Sequence, residues 1–319
     1  MFTAELKSTP QEDISILIRV DNHAGYYLCE CGEASALTVK ECQRIRAIFI
    51  SHTHIDHFIN FDQILRHQIG IKKTVVIVGP PQIAQQVQAK VKAFTWNLIA
   101  PEAITYEIRE IIDEQTFQVY TLTPPHWDLK QIVDIQEGII YNNDVFKVTY
   151  TLLDHKIPSV AYLFKAYNQV SINLKQAPFK GGAWVGDLKK AYERNEPKQF
   201  IEIEGETYQA DTLFHLLEEK VGDSLGVIMD HAAHPANHQK IIQHFENCKT
   251  VFIECFYKEE DRAQAITNFH SYLSASASVM KAAKVTEAIP VHFSRRYAPS
   301  EVEQLVSDFM ALFRQERHA

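Results

Sequence analysis

The chain has 319 residues, 46% hydrophobic and 23% charged, and carries a formal net charge of −8 at neutral pH. That balance excludes a disordered segment and a membrane-embedded bundle, and it argues against a surface wholly adapted to polyanions, although a local basic patch is compatible with it. Cys29, Cys31, Cys42, Cys248 and Cys255 are odd in number and contain no CxxC pair, which fits reduced thiols in a cytoplasmic protein better than a disulfide frame.

In chain order, the start "MFTAELKSTPQED" lacks the basic-then-apolar pattern of a signal peptide, and the later apolar runs are too short and too often broken by charge to span a membrane. Strands are predicted at "ISILIRV" (Ile14 to Val20), "RAIFISH" (Arg46 to His52), "TVVIVGPP" (Thr74 to Pro81) and "VFKVTYTLLDH" (Val145 to His155). "LGVIMDH" (Leu225 to His231), "TVFIECF" (Thr250 to Phe256) and "AIPVHFS" (Ala288 to Ser294) read the same way. Helical periodicity lies between them in "PQIAQQVQAKVKAF", "PANHQKIIQHFENC" and "EDRAQAITNFHSYLSASASVMKAAK". Strands alternating with helices predict an α/β layered fold. Residues 165–219, with Gly181-Gly182, several lysines and little periodicity, read as an arm-like insertion within one domain over residues 1–319. "CEC" at Cys29 to Cys31 reads as packed thiols, with a soft-metal site as the lesser alternative.

The metal-capable residues gather at strand ends. His52, His54, Asp56 and His57 follow "AIFI", His155 follows "TYTLLD", Asp230 follows "LGVIM" and His292 follows "EAIPV". The C-terminal ends of strands are where α/β sheets place ligand sites. A lone His155 or His292 would more often be an ordinary core or surface histidine; four such strand ends together argue otherwise. Residues two apart in an extended segment point to one side, so His52 and His54 can converge on one ion while the following turn carries Asp56 and His57 to another. Imidazole with carboxylate suits zinc, and also manganese or iron. Asp230, with two oxygens, is the natural bridge.

"SHTHIDH" resembles the HxHxDH motif of the metallo-β-lactamase superfamily. "LLDHKIPSVAY" is similar to the LDHxxPSxGY segment of its ribonuclease Z branch, the tRNA 3′-processing endonucleases, "CGEAS" to CGEGT and "VHFSRRY" to THFSxRY. "FIECF" and "HS" (His270, Ser271) stand where that branch has HEATF and HST, and "APFKGGAWVGDLKKA" resembles the glycine-proline segment of its flexible tRNA-binding arm. The resemblance runs from Cys31 to Tyr297 and implies a four-layer αβ/βα sandwich with two metals at one edge. It further implies that His52, His54 and His155 hold one ion, Asp56, His57 and His292 the other, and Asp230 bridges, with Glu254 and His270 as an auxiliary pair. The departures are Asn60, Ala34-Ser35, Ala161, Ala183, His231 in place of a threonine after the bridging aspartate, and no glycine-rich phosphate loop near the start. None removes an implied ligand.

That arrangement suits phosphodiester hydrolysis. Two ions about 3.5–4 Å apart can clamp a water and stabilise charge on phosphoryl oxygens. Asp56 could orient the water or take its proton, and His270 held by Glu254 could protonate the leaving oxygen. Glu254 in the apolar "TVFIECFY" is costly unless paired. Between Lys165 and Lys198 there are seven basic residues against three acidic ones, so Lys180, Lys189 and Lys190 could track a phosphate backbone, as could Arg295 and Arg296 beside His292. For each the plainer reading is a solvated surface cation. The expected partner is precursor tRNA or a small phosphodiester, with no membrane and with a homodimer compatible. A small-molecule or cyclic-nucleotide phosphodiesterase, or a non-catalytic metal-containing RNA-binding relative, are the alternatives. "DHAAHPANH" places His231, His234 and His238 beside the site, read as the start of a helix more than as further ligands.

Overall fold

The structure is a computed structural model that describes residues 1–136, 138–173 and 177–315. It divides into two compact units, Met1–Lys165 with Ser224–Ala319, and Ala166–Asp223.

The larger unit holds two sheets. The first has eight strands in chain order: Phe2–Leu6, Ile16–Val20, Tyr26–Cys29, Ile45–Phe49, Thr74–Gly79, Thr105–Ile111, Thr116–Leu122 and Lys130–Gln136. The four from Tyr26–Cys29 to Thr105–Ile111 pair in parallel. The second sheet runs Glu287–Val291, Thr250–Glu254, Ser224–Ile228, Pro158–Ala166, Phe146–Asp154 and Ile139–Asn142, the first three parallel. Parallel strands must be covered on both faces, and "IRAIF" is buried at every position but Arg46.

The coverage makes four layers. Helices Phe61–Gln68 and Ile83–Lys92 place Ile64, Leu65, Ile83, Val87 and Val91 on the outer face of the first sheet with Ile48 and Ile77. Helices Pro235–His244, Leu273–Ala282 and Pro299–Arg314 do the same for the second through Ile241, Phe245, Met280 and Phe309. Between the sheets lies an aromatic layer, in which Phe49 meets Tyr162 and Phe164 at 5.3 and 5.0 Å between ring centroids, and Tyr27 meets Phe146 at 4.8 Å. Edge-to-face rings fill the space between the two sheets. The Tyr162 hydroxyl donates to the Ile50 carbonyl at 2.7 Å, tying the second sheet to the segment just before His52.

Five strands of the first sheet, Phe2–Leu6, Tyr26–Cys29, Thr105–Ile111, Thr116–Leu122 and Lys130–Gln136, are absent from the sequence reading. "TYEIREI" and "TFQVYTL" bury roughly alternate residues with half-buried, mostly polar ones between them, so they offer period-2 alternation and no apolar run. The long helical pattern after "FIECF" is interrupted: helix Arg262–Asn268 ends at Phe269 in the left-handed region (φ 61°), and a new helix starts at Leu273. The break is held by Tyr257, whose carbonyl accepts the Leu273 N–H at 3.0 Å and whose N–H donates to Ser271.

The smaller unit has its own core of Trp184, Leu188, Ile201, Ile203 and Leu213 around helix Trp184–Glu193, a hairpin of Phe200–Ile203 with Glu206–Gln209, and the pair Gln169–Ile172 with Leu217–Lys220. Trp184 is buried there, its indole N–H donating to the Lys180 carbonyl at 2.8 Å, so it packs within this unit's core. The basic excess of residues 165–198 does not extend to the whole unit, which has seven basic against ten acidic residues. Lys175 lies outside the described residues. No helix among the described residues is long and apolar enough to cross a membrane.

Candidate metal centre

The C-terminal ends of strands from both sheets meet at one edge of the larger unit. Strand Ile45–Phe49 leads into His52 and His54, and a one-turn helix, Ile55–Phe58, carries Asp56 and His57. His155 follows Phe146–Asp154, Asp230 follows Ser224–Ile228, Glu254 ends its strand, and His292 follows Glu287–Val291 with φ 56°. The "CGEAS" turn seats this motif: Cys31 N–H donates to the His57 carbonyl and Asn60 N–H to the Cys31 carbonyl, both at 2.9 Å. Gly32 is required there, because a Cβ would lie 2.3 Å from the Asp13 backbone.

Asp230 stands at the centre. Its Oδ2 is 3.7 Å from His52 Nε2 and 3.5 Å from His155 Nε2, while its Oδ1 is 3.5 Å from His57 Nε2 and 2.8 Å from His292 Nε2. Asp56 Oδ2 lies 3.6 Å from His57 Nε2 and 3.7 Å from His292 Nε2. Potential donor atoms group as His52, His54, His155 and Asp230, as Asp56, His57 and His292, and as Asp230, Glu254 and His270. None of the five cysteines belongs to such a group; all are buried free thiols, and burial pushes Cys29 and Cys31 upward in pKa.

Three of the imidazoles are aimed by their other nitrogen. His57 Nδ1 pairs with buried Glu30 Oε2 at 3.1 Å, His155 Nδ1–H donates to the Phe269 carbonyl at 2.6 Å, and His52 Nδ1 meets Ser51 Oγ at 3.0 Å. This leaves the Nε2 lone pairs facing inward. Two nitrogen pairs consequently face each other at 2.9 Å, His52 Nε2 with His54 Nδ1 and His57 Nε2 with His292 Nε2. Nitrogens 2.0–2.1 Å from a shared tetrahedral ion would be roughly 3.3 Å apart, close to this spacing. Asp230 Oδ1 is buried with no hydrogen-bond partner of acceptable geometry. Burial and the neighbouring His57 hold His52 neutral, as ligation needs, whereas burial opposes ionisation of Asp230 and is overcome by His292 and His57, which keep its carboxyl well below the usual range. A buried carboxylate amid converging lone pairs fits divalent cations.

Beside it, Glu254 Oε1 makes a short contact with His270 Nδ1, and the Phe256 ring stacks on His270 at 4.0 Å and 10°. Burial alone would lower the His270 pKa; Glu254 reverses that and raises it to about 9. Glu254 itself is held low, against its burial, by His270.

No family model matches the chain. Over 336 residues it is 24% identical to Ribonuclease Z of Deinococcus radiodurans, covering 100% of the chain and 98% of the relative. Among solved structures, the short form of human tRNase Z superposes with a TM-score of 0.56 at 12% identity, covering 93% of this chain and 94% of that one. The metallo-β-lactamase fold protein YhfI of Bacillus subtilis superposes with a TM-score of 0.58 at 11% identity, covering 98% and 93%. The chain has the metallo-β-lactamase fold and is similar in sequence to ribonuclease Z over its whole length.

In this chain His52, His54, Asp56, His57, His155, Asp230, Glu254, His270 and His292 lie together. Arg295 and Arg296 lie near them and already have partners. Arg295 holds Asp13 at 3.1 Å, Glu33 at 2.9 Å and the Gln11 carbonyl at 3.0 Å; Arg296 binds Gln264 and lies over the Tyr257 ring at 4.9 Å. Lys180, Lys189 and Lys190 belong to the smaller unit, where Lys190 stands 3.8 Å from Asp187. Of "DHAAHPANH", His231 reaches Glu254 and His234 reaches Asp154. Glu30 was missed, yet the reasoning applied to Glu254 applies to it: both are acids inside apolar strand ends, "YYLCEC" and "TVFIECFY".

Proposed function

We propose that the protein is a metal-dependent phosphodiester hydrolase acting as an endonuclease on the 3′ ends of precursor tRNA. The observation that carries this is the convergence of six ligand-type side chains around Asp230 with the Glu254–His270 pair alongside, in a chain that aligns with ribonuclease Z over its length. We assign His52, His54 and His155 to one ion, Asp56, His57 and His292 to the other, and Asp230 to both, with zinc suited to the nitrogen-rich set. When bound, the ions supply an activated water and charge neutralisation at the phosphoryl oxygens.

The chain's own groups do the rest. Asp56, half-buried at the mouth, orients the water and accepts its proton. His270, protonated because Glu254 favours its cationic form, gives a proton from Nε2 to the leaving alkoxide, since Nδ1 is taken. Arg295 and Arg296, prepositioned by their partners, and Lys180, Lys189 and Lys190 contact substrate phosphates. Residues 1–319 are one hydrolase domain in which 166–223 is an inserted arm for RNA capture, in a cytoplasmic homodimer.

The test is cleavage of a 3′-extended precursor tRNA by the metal-quantified protein, with bis-p-nitrophenyl phosphate alongside. Lys165 and Ser224 pair across adjacent strands, so a short turn can replace residues 166–223. That variant should keep both metals and hydrolysis of the small diester, and lose tRNA cleavage by at least about 100-fold. Equal loss on both substrates would remove the arm from RNA capture; diester hydrolysis without tRNA cleavage by the full chain would favour a small-molecule phosphodiesterase.

A further inference from the structure

We propose that His231 is a positioning residue, fixing the Glu254 carboxylate so that its other oxygen is presented to His270. The inference rests on the reading of His270 as proton donor. Glu254 is buried and divides its two oxygens between two jobs. Oε1 goes to His270 Nδ1. Oε2 accepts the His231 backbone N–H at 3.1 Å and the Ser271 N–H at 3.2 Å, and stands 3.2 Å from His231 Nδ1.

The tautomer of His231 follows from its surroundings. Nδ1 lies 2.9 Å from the Met229 carbonyl oxygen, which can only accept, so Nδ1 carries the proton. That N–H donates to Met229 O and stands beside Glu254 Oε2. Nε2 is buried without a hydrogen-bond partner. A donor held in this place restrains the rotation of the carboxylate and leaves Oε1 turned to His270.

Three substitutions separate this role from packing. His231→Leu keeps much of the volume and removes the donor. His231→Asn places an amide N–H close to the Nδ1 position, and His231→Gln carries the same amide one methylene further out. The readout is the ratio of kcat on an RNA phosphodiester, whose poor leaving group needs a proton, to kcat on bis-p-nitrophenyl phosphate, whose leaving group does not. With two metals bound, His231→Leu should lose about 10–100-fold in kcat on RNA, with KM within about twofold, and less than about threefold on the small diester. His231→Asn should restore RNA cleavage to within about threefold of the parent and His231→Gln should not; if the leucine variant fails to fold, this pair decides. Unchanged RNA cleavage by the leucine variant, equal losses on both substrates, or asparagine no better than glutamine would each overturn the proposal. His270→Ala is measured in parallel: if it too shows no preference between leaving groups, the proton-donor reading falls, whereas a preference for His270→Ala alone overturns only the role of His231.

Discussion

Replacing Glu30 by glutamine should weaken metal binding without touching a ligand. The carboxylate is fully buried; Oε1 accepts the Ser51 N–H at 2.9 Å and Oε2 faces His57 Nδ1 at 3.1 Å. Both partners are donors when His57 offers its Nε2 lone pair inward. A glutamine has one acceptor oxygen, so its NH2 must face one of two N–H groups and leave it unpaired, at about 1–3 kcal/mol of fold stability. If the oxygen goes to Ser51, His57 loses its anchor and its preferred tautomer. Loss of such a carboxylate typically weakens metal affinity 10–100-fold, about 1.4–2.8 kcal/mol. Zinc competition against a chromogenic chelator would resolve the two ions, and Glu30→Gln should shift only the one assigned to Asp56, His57 and His292. Identical dissociation constants for both ions in variant and parent would refute the reasoning, because the geometry would then be set by packing alone.

Asn237 brackets the opposite side of the site: it accepts the Asp154 N–H and donates to the carbonyls of Asp154 and Ala232, each at 2.9 Å. Asn237→Ala leaves the Asp154 N–H without its acceptor and removes one of two donors from each carbonyl, which keep the Ala232 and His234 N–H groups, and should cost about 1–3 kcal/mol in urea unfolding; a loss below about 0.5 kcal/mol would show that the two loops hold without it. Glu41 caps Thr38 and contacts Lys7 at 3.0 Å and Arg19 at 2.8 Å; burial opposes its ionisation, but these groups prevail and lower its pKa to about 2. Its folded pKa is below the unfolded value of about 4.3, so its stabilisation is complete above that value and is lost as pH falls through about 2. Glu41→Gln should therefore be about 1–2 kcal/mol less stable at pH 7, after allowance for solvent screening, with the gap to the parent closing between about pH 4.3 and about 2; a gap independent of pH would contradict the charge-based account.

Much of the site was legible because its chemistry is local. His52, His54, Asp56 and His57 crowd one short segment, and each distant ligand directly follows a β-branched run whose strand end could be inferred. Glu254 was legible as an acid in an apolar context, whereas Glu30 was obscured by its two flanking cysteines. The histidine at 270 was placed inside a continuous helix, since nothing in "ITNFHSYLSAS" breaks the periodicity. Its actual position comes from Tyr257, Glu254 and a left-handed Phe269, which are tertiary constraints. The outer strands of the first sheet escaped for a related reason: Thr105–Ile111 and Thr116–Leu122 are recognised by which neighbours they pair with, and their own alternating composition is ambiguous.

The facing pair His57 and His292 are 235 residues apart in the chain. A ribosome that has made the first sheet has therefore supplied only His52, His54, Asp56 and His57, a set that can detain an ion but cannot enclose two. Neither position is complete until the second sheet has docked, and the Asp56–His57 position must also await the strand Glu287–Val291. On the proposed assignment metal loading would be a late step of biogenesis, and a chain cut short before that strand would lack His292 at the second ion while keeping all four residues assigned to the first.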